Sequence, residues 1–156
     1  LQHVERESIP IVQLVRGCLE GYCLAYPNNR FELEVFAAES LVIPGNADAI
    51  AQMLDKLVDN AADFAVAGTP IQVSIRHSGG RVHLTIQNQG PLLPPDAVSV
   101  LFVSMVSART ALPSTDGHLG LGLYIVRMVA EFHRGTVSAG NLPDGSGVCF
   151  TITFPC

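Results

Sequence analysis

Three clusters of residues have types and spacings that could do chemistry. Gly120-Leu121-Gly122-Leu123 opens a strongly apolar stretch. Two glycines at a helix start let backbone N–H groups approach a ligand, and the positive end of the helix dipole favours an anion. Phosphate is the natural guest. The dinucleotide-binding fingerprint is not met, because Ile125 stands where its third glycine belongs and a loop precedes in place of a strand. Close helix packing is the competing explanation of the same glycines. The second cluster is Lys56, Asp59, Asn60 and Asp63, spaced three or four apart and so sharing one helix face. A solvated face has the same pattern, but Asn is a poor mid-helix residue, and its amide oxygen is a good neutral ligand for a hard cation that also holds phosphate oxygens. The third is Asn88-Gln89-Gly90-Pro91, after an alternating strand, where ordinary turn chemistry is the plain alternative.

Hydrophobic spacing supplies the elements that must position them. Ser8 before Ile9 and Pro10 reads as the cap of a first helix running to about Ala25. After the turn Tyr26-Pro27-Asn28-Asn29, the alternation of Phe31, Leu33 and Val35 with polar neighbours predicts a strand with one wetter face. Pro44-Gly45-Asn46 resets the chain. Asn46 then caps a second helix in which Ile50, Met53, Leu54, Leu57, Ala61 and Phe64 recur at helical spacing, stopped by Gly68-Thr69-Pro70. Ile71, Val73 and Ile75, then Val82, Leu84 and Ile86, flank Ser78-Gly79-Gly80 as an antiparallel hairpin. Residues 89–118 hold Pro91, Pro94, Pro95 and Pro113 with many Ser and Thr, which predicts a long loop with at most one short helix near 96–102. Loops of that length inside a domain usually carry function. A third helix over 121–133, ended by Gly135, precedes two strands around a turn at 141–147; Val148, Phe150, Ile152 and Phe154 alternate in the last. This order predicts an α/β (α+β) two-layer sandwich with helices on one face of a mixed sheet, and lacks the strict alternation of a doubly wound parallel sheet.

The 156 residues amount to one domain. Apolar residues make up 48 % and charged ones only 15 %, against a usual charged share of about 25 %. Nine Lys and Arg against fourteen Asp and Glu leave a net charge of −5 without a basic cluster, so nucleic acid is excluded as a partner. Mean hydropathy is +0.34, yet the densest apolar stretch, 119–126, contains two glycines and falls short of the ~18 residues a bilayer requires. The charged opening LQHVERES, without an initial Met, reads as part of a longer chain: 1–8 as the tail of a preceding helical segment and 9–156 as the domain. Cys18, Cys23, Cys149 and Cys156 form no Cys-x-x-Cys pair and are expected as free thiols of a reducing, cytoplasmic compartment.

Taken together and in order, the clusters carry a resemblance. Leu54-Asp55-Lys56-Leu57-Val58-Asp59-Asn60-Ala61 resembles an N box, Asn88 to Leu92 a first glycine box, and His118-Leu119-Gly120-Leu121-Gly122-Leu123-Tyr124-Ile125-Val126-Arg127 a last glycine box, with Phe102 and Met105 where a phenylalanine box falls. Nearly the whole chain is similar to the ATP-binding catalytic (HATPase) domain of bacterial sensor histidine kinases, in the GHKL superfamily with gyrase, Hsp90 and MutL. The resemblance implies a Bergerat fold, with ATP lying between the helices and a flexible lid at about 89–118. It implies that Asn60 coordinates a Mg²⁺ that bridges the phosphates, that Lys56 stands beside it in the catalytic set, and that Gly120, Leu121, Gly122 and Leu123 wrap the triphosphate. Asn88, Gly90 and Leu92 are implied on the base side, with Gly90 giving the adenine room. The γ-phosphate is then expected to pass to a histidine on a dimerising helical hairpin absent from this chain, and on to an aspartate of a response regulator. The full-length protein is implied to be a homodimer anchored in the inner membrane, with this domain in the cytoplasm.

Four positions depart from the family pattern. Asn88 replaces the adenine-reading Asp, Leu92 replaces a second glycine, Lys56 stands where Asn or Glu is common, and Asp63 where a basic residue often follows. Asn keeps one acceptor and gains donors; Lys56 can neutralise phosphate, whereas Asp63 repels it unless a cation intervenes. These departures support an alternative, a degenerate nucleotide-binding or protein-interaction module with little kinase activity. An ATP hydrolase needs a carboxylate base near the attacking water, and Lys56 occupies that place. His3, His77, His83, His118 and His133 all lack a phosphoacceptor pattern, so the domain alone is expected to be inactive as an autokinase.

Overall fold

The computed structural model describes residues 6–93 and 118–156. Its elements follow as β1 (Glu7–Pro10), α1 (Ile11–Ala25), β2 (Arg30–Phe36), β3 (Val42–Gly45), α2 (Ala47–Phe64), β4 (Pro70–Ser78), β5 (Arg81–Gln89), α3 (His118–Phe132), β6 (Thr136–Asn141) and β7 (Gly147–Pro155), with α3 the third described helix. Five strands form one sheet in the order β2-β4-β5-β7-β6. Among the described strands only the β2–β4 pair is parallel. A parallel pair needs a crossover, and the chain between those strands contains α2, which is why that helix lies across the sheet.

Period-two alternation selects the covered face. Ile71, Val73 and Ile75 of β4, Val82, Leu84 and Ile86 of β5, and Phe150, Ile152 and Phe154 of β7 are all buried, as are Ile50, Met53, Leu54 and Leu57 of α2 at helical spacing. The intervening residues form a polar face, where Ser74 donates to Thr85 at 3.0 Å and Gln87 to Gln72 at 2.6 Å. The two-layer sandwich with a mixed, mostly antiparallel sheet is the architecture predicted. Asn46 caps α2 as expected, its Oδ1 accepting from the Ala49 N–H at 2.9 Å. The β4–β5 hairpin turns through Gly79 and Gly80 at φ +61° and +72°, a conformation cheap only for glycine.

Three expectations change. Ser8 does not cap α1; it sits in β1, whose register pairs Ser8 with Pro44 and Ile9 with Ile43 of β3. Both strands are four residues long and contain proline, so the sequence reads as punctuation where the structure has an edge pair. The pairing of β1 with β3 begins at Glu7, opposite Gly45. Phe64 is 37 % exposed and outside the core, because α2 ends there. β5 runs through Asn88 and Gln89, held by pairing with Val148 and Gly147, so Asn88 lies inside the strand. The phenylalanine-box positions Phe102 and Met105, the short helix at 96–102 and the body of the lid fall outside the described residues.

Candidate functional site

Lys56, Asn60 and Phe64 stand one turn apart on α2 and so form a strip about 12 Å long. Gly122 lies at its first end: a methyl built there would meet Lys56 Cβ at 3.5 Å, an ordinary contact. At the other end β5 leaves the sheet, and a methyl on Gly90 would run into the Phe64 carbonyl oxygen. The Val66 N–H donates to the Gln89 carbonyl at 2.9 Å and ties the two exits together. The three clusters singled out in the sequence thus meet along one side of one helix.

Asn60 occupies the middle of the strip, half-buried, and its Oδ1 is sealed from solvent without a hydrogen-bond partner among the described residues. An orphaned buried acceptor costs about 1–3 kcal/mol, and native folds rarely keep one that no ion, water or ligand satisfies. An amide oxygen suits a hard cation. Among the described residues no group of three His, Cys, Asp or Glu could cage a metal, so a cation at Asn60 would complete its shell with phosphate oxygens and water, the habit of Mg²⁺.

Asp59, assigned by spacing to the same face, turns instead toward α1. The Tyr26 hydroxyl donates to Asp59 at 3.1 Å, and one turn earlier Tyr22 donates to Asp55 at 2.6 Å. Burial, then the Asp59 charge, pushes the Tyr26 phenol up to about 12; burial and the Asp55 bond push Tyr22 higher still. Both hydroxyls therefore remain donors. This two-rung ladder was not anticipated, although Tyr22 and Tyr26, like Asp55 and Asp59, share the spacing of one turn.

At the end of β5, Asn88 is 4 % exposed, and its Nδ2 donates to the Gln89 carbonyl at 3.2 Å. That leaves Oδ1 as the end free to act as acceptor. Gly90 is explained by the Phe64 carbonyl, which fills the space of a side chain. Leu92 is 47 % exposed, and its neighbour Leu93 is fastened to the end of β6 by two bonds with the Asn141 amide, at 2.8 and 3.1 Å. Gly120 and Leu121 lie in the opening turns of α3. Leu123 points into the core at 1 % exposure, so only its backbone can face a ligand. A concavity of about 370 Å³ opens beside the end of β5, where Asn88 lines it together with Gln72, Gln87, Gln89, Asp144 and Ser146. His77 and His83 belong to the hairpin strands, and His133 is buried at 3 % exposure. All four cysteines are free thiols.

Residues 45–156 match the family described as histidine kinase-, DNA gyrase B-, and HSP90-like ATPase. Among curated proteins, the chain is 34 % identical over 155 residues to the sensor protein CutS of Streptomyces coelicolor, covering 99 % of this chain and 37 % of that one. It is 35 % identical over 104 residues to the sensor protein KdpD of Escherichia coli, covering 67 % of this chain and 11 % of KdpD. The chain thus spans well under half the length of these relatives. Its fold is similar to that of the nucleotide-free catalytic domain of histidine kinase ThkA, with a TM-score of 0.79 at 24 % identity over 97 % of this chain and 96 % of that one. The ATP binding domain of PrrB from Mycobacterium tuberculosis gives 0.75 at 21 % identity, over 97 % and 98 % of the two chains.

Proposed function

The chain belongs to the histidine kinase-, DNA gyrase B- and HSP90-like ATPase family, and from that membership we propose that it binds Mg-ATP along the α2 strip as the catalytic domain of a two-component sensor histidine kinase. The observation that carries the reading is the buried, unpartnered Oδ1 of Asn60. Gly122 supports it. A glycine inside a helix costs about 1 kcal/mol relative to alanine, and the space beside Gly122 would accept a methyl next to Lys56, so packing against the described residues does not account for it. Close backbone approach to an anion does.

In this reading Asn60 holds the Mg²⁺, which when bound supplies positive charge against the phosphate oxygens. The ammonium of Lys56 lies on the same strip, and the N–H groups at the start of α3, around Gly120, Leu121, Gly122 and Leu123, receive the phosphates. The Asn88 Oδ1 accepts from the exocyclic amine of adenine, beside Gly90 and Leu92. Residues 9–156 act as the unit and about 89–118 as its lid. A histidine nitrogen on a dimerising helical hairpin outside this chain attacks the γ-phosphorus and ADP leaves; a response-regulator aspartate takes the phosphoryl group next. The full-length protein is a homodimer anchored in the inner membrane, with this domain on the cytoplasmic side. No described helix is long and apolar enough to cross a membrane.

One observation favours a weaker version. Asn88 offers a neutral acceptor where an ionised Asp would make a charge-assisted bond, consistent with a nucleotide-binding module of reduced activity. Calorimetric titration with Mg-ATP, followed by phosphotransfer with the flanking helices of the full-length protein, separates the readings. Saturable binding with phosphohistidine formation supports the kinase, binding alone supports the degenerate module, and no binding removes both.

A further inference from the structure

His133 is a buried polar residue outside the nucleotide strip, and both of its ring nitrogens are engaged. Nδ1 lies 2.8 Å from the Val129 carbonyl, which can only accept, so Nδ1 carries the proton. Nε2 is then the acceptor for the backbone N–H of Asn46, at 3.0 Å. Asn46 is the N-cap of α2, and His133 directly follows the last residue of α3. The ring stands edge-on to Phe132 and Phe154, with centroids 5.1 and 5.6 Å away, and a methyl on Gly45 would collide with it. One imidazole therefore joins the start of one functional helix to the end of the other.

The same two helices touch again where Gly122 faces Lys56. The two contact points are ten residues apart on α2 and eleven on α3, about 15 and 16 Å of helix. The helices run in opposite directions with matched spans, and a hydrogen-bonded helix moves as a rod. Whatever fixes their register at His133 also fixes it at the glycine end. The entering chain converges on this junction too: Arg6 donates to the Phe132 carbonyl and its guanidinium lies 5.0 Å from the Phe132 ring, while Glu7 pairs with Gly45.

Resting on the reading of the strip as a nucleotide site, we propose that His133 is a positioning residue, whose bond to Asn46 sets α3 against α2 and thereby sets how the glycine turn meets phosphates held at Asn60. His133 touches no ligand. Its effect is on the phosphate end alone, because Asn88 and Gly90 are held by β5, β7 and the end of α2.

The test measures the affinity of this chain for Mg-ATP by calorimetry and for adenosine by NMR titration, at a temperature where circular dichroism finds each variant folded. His133→Gln retains a side-chain acceptor for the Asn46 N–H; His133→Leu keeps apolar bulk without one. His133→Leu is expected to weaken Mg-ATP about tenfold, the scale of one hydrogen bond, with adenosine unchanged and with most of the loss restored in His133→Gln. Should the Leu variant not fold, His133→Asn, which can still donate to Val129 but is too short for Asn46, takes its place with the same expected result. Wild-type affinity for Mg-ATP in the folded variant, or equal losses for ATP and adenosine, would overturn the positioning role while the nucleotide reading stands. A wild-type chain that binds no Mg-ATP would overturn both.

Discussion

The two ends of the α2 strip use similar residues for different reasons. At the Gly90 end, packing accounts for the glycine, because the Phe64 carbonyl occupies its side-chain space, while Asn88 spends only its Nδ2 on the neighbouring carbonyl and keeps Oδ1 as an acceptor. At the phosphate end packing gives no such reason. Gly122 has room for a methyl, and the Asn60 oxygen is buried with no described partner. A glycine or asparagine in a motif points to a ligand only where packing and hydrogen bonding leave it unexplained.

The largest effect expected from this contrast is at Asn60. Asn60→Ala or Asn60→Asp should abolish Mg-dependent ATP binding in a folded protein, and the Ala variant should be no less stable than wild type, because an orphaned acceptor has been removed. Calorimetry and urea unfolding read both; unchanged affinity removes the assignment. Next come the glycines, where the two ends should respond in opposite directions. Gly90→Ala should lose about 1–3 kcal/mol of stability by overpacking against backbone, whereas Gly122→Ala should gain up to about 1 kcal/mol through helix propensity while weakening ATP binding. Matching unfolding curves for the two variants would erase the distinction.

A smaller effect is expected at Asn88. Asn88→Asp should raise the ratio of ATP to GTP affinity by about 0.5–1.5 kcal/mol, at most about tenfold, since an ionised carboxylate accepts from the amine of adenine and repels the oxygen of guanine. A constant ratio would mean that the base is read elsewhere. The smallest concerns acid. Burial, reinforced by the nearby Arg6 charge and opposed by the Val129 backbone bond, holds the folded His133 imidazole below its ordinary value. The unfolded chain therefore binds this proton more readily, and the stability His133 provides is full above about pH 6.5 and is lost as pH falls through the folded value. Melting temperatures at pH 7.5 and 5.5 should diverge more for wild type than for His133→Gln; equal divergence would contradict it.

Local signals were legible and long-range partners were not. Asn46 with Ile50, Met53, Leu54 and Leu57 announced α2 because cap and periodicity are written within a few turns. Gly79-Gly80 announced the hairpin for the same reason. β1 and β3 escaped because two prolines in four-residue strands read as breaks, and their pairing joins residues more than thirty apart. Helical spacing gives Asp59 a face but cannot say that Tyr26, just past the end of α1, waits beside it. Asn60 was visible as an odd mid-helix residue, yet its unpartnered state is a property of the packed structure. His133, placed by sequence only at a helix end, acquires its bond to Asn46 through tertiary contact across 87 positions.

The central claim is that the α2 strip holds ATP through a cation at Asn60, and the most direct measurement is a calorimetric titration of ATP into this chain with Mg²⁺ present and again with Mg²⁺ chelated. Saturable one-to-one binding with Mg²⁺ and a large loss of affinity without it are expected. Equal affinity in the two titrations, or no binding in either, would contradict the claim.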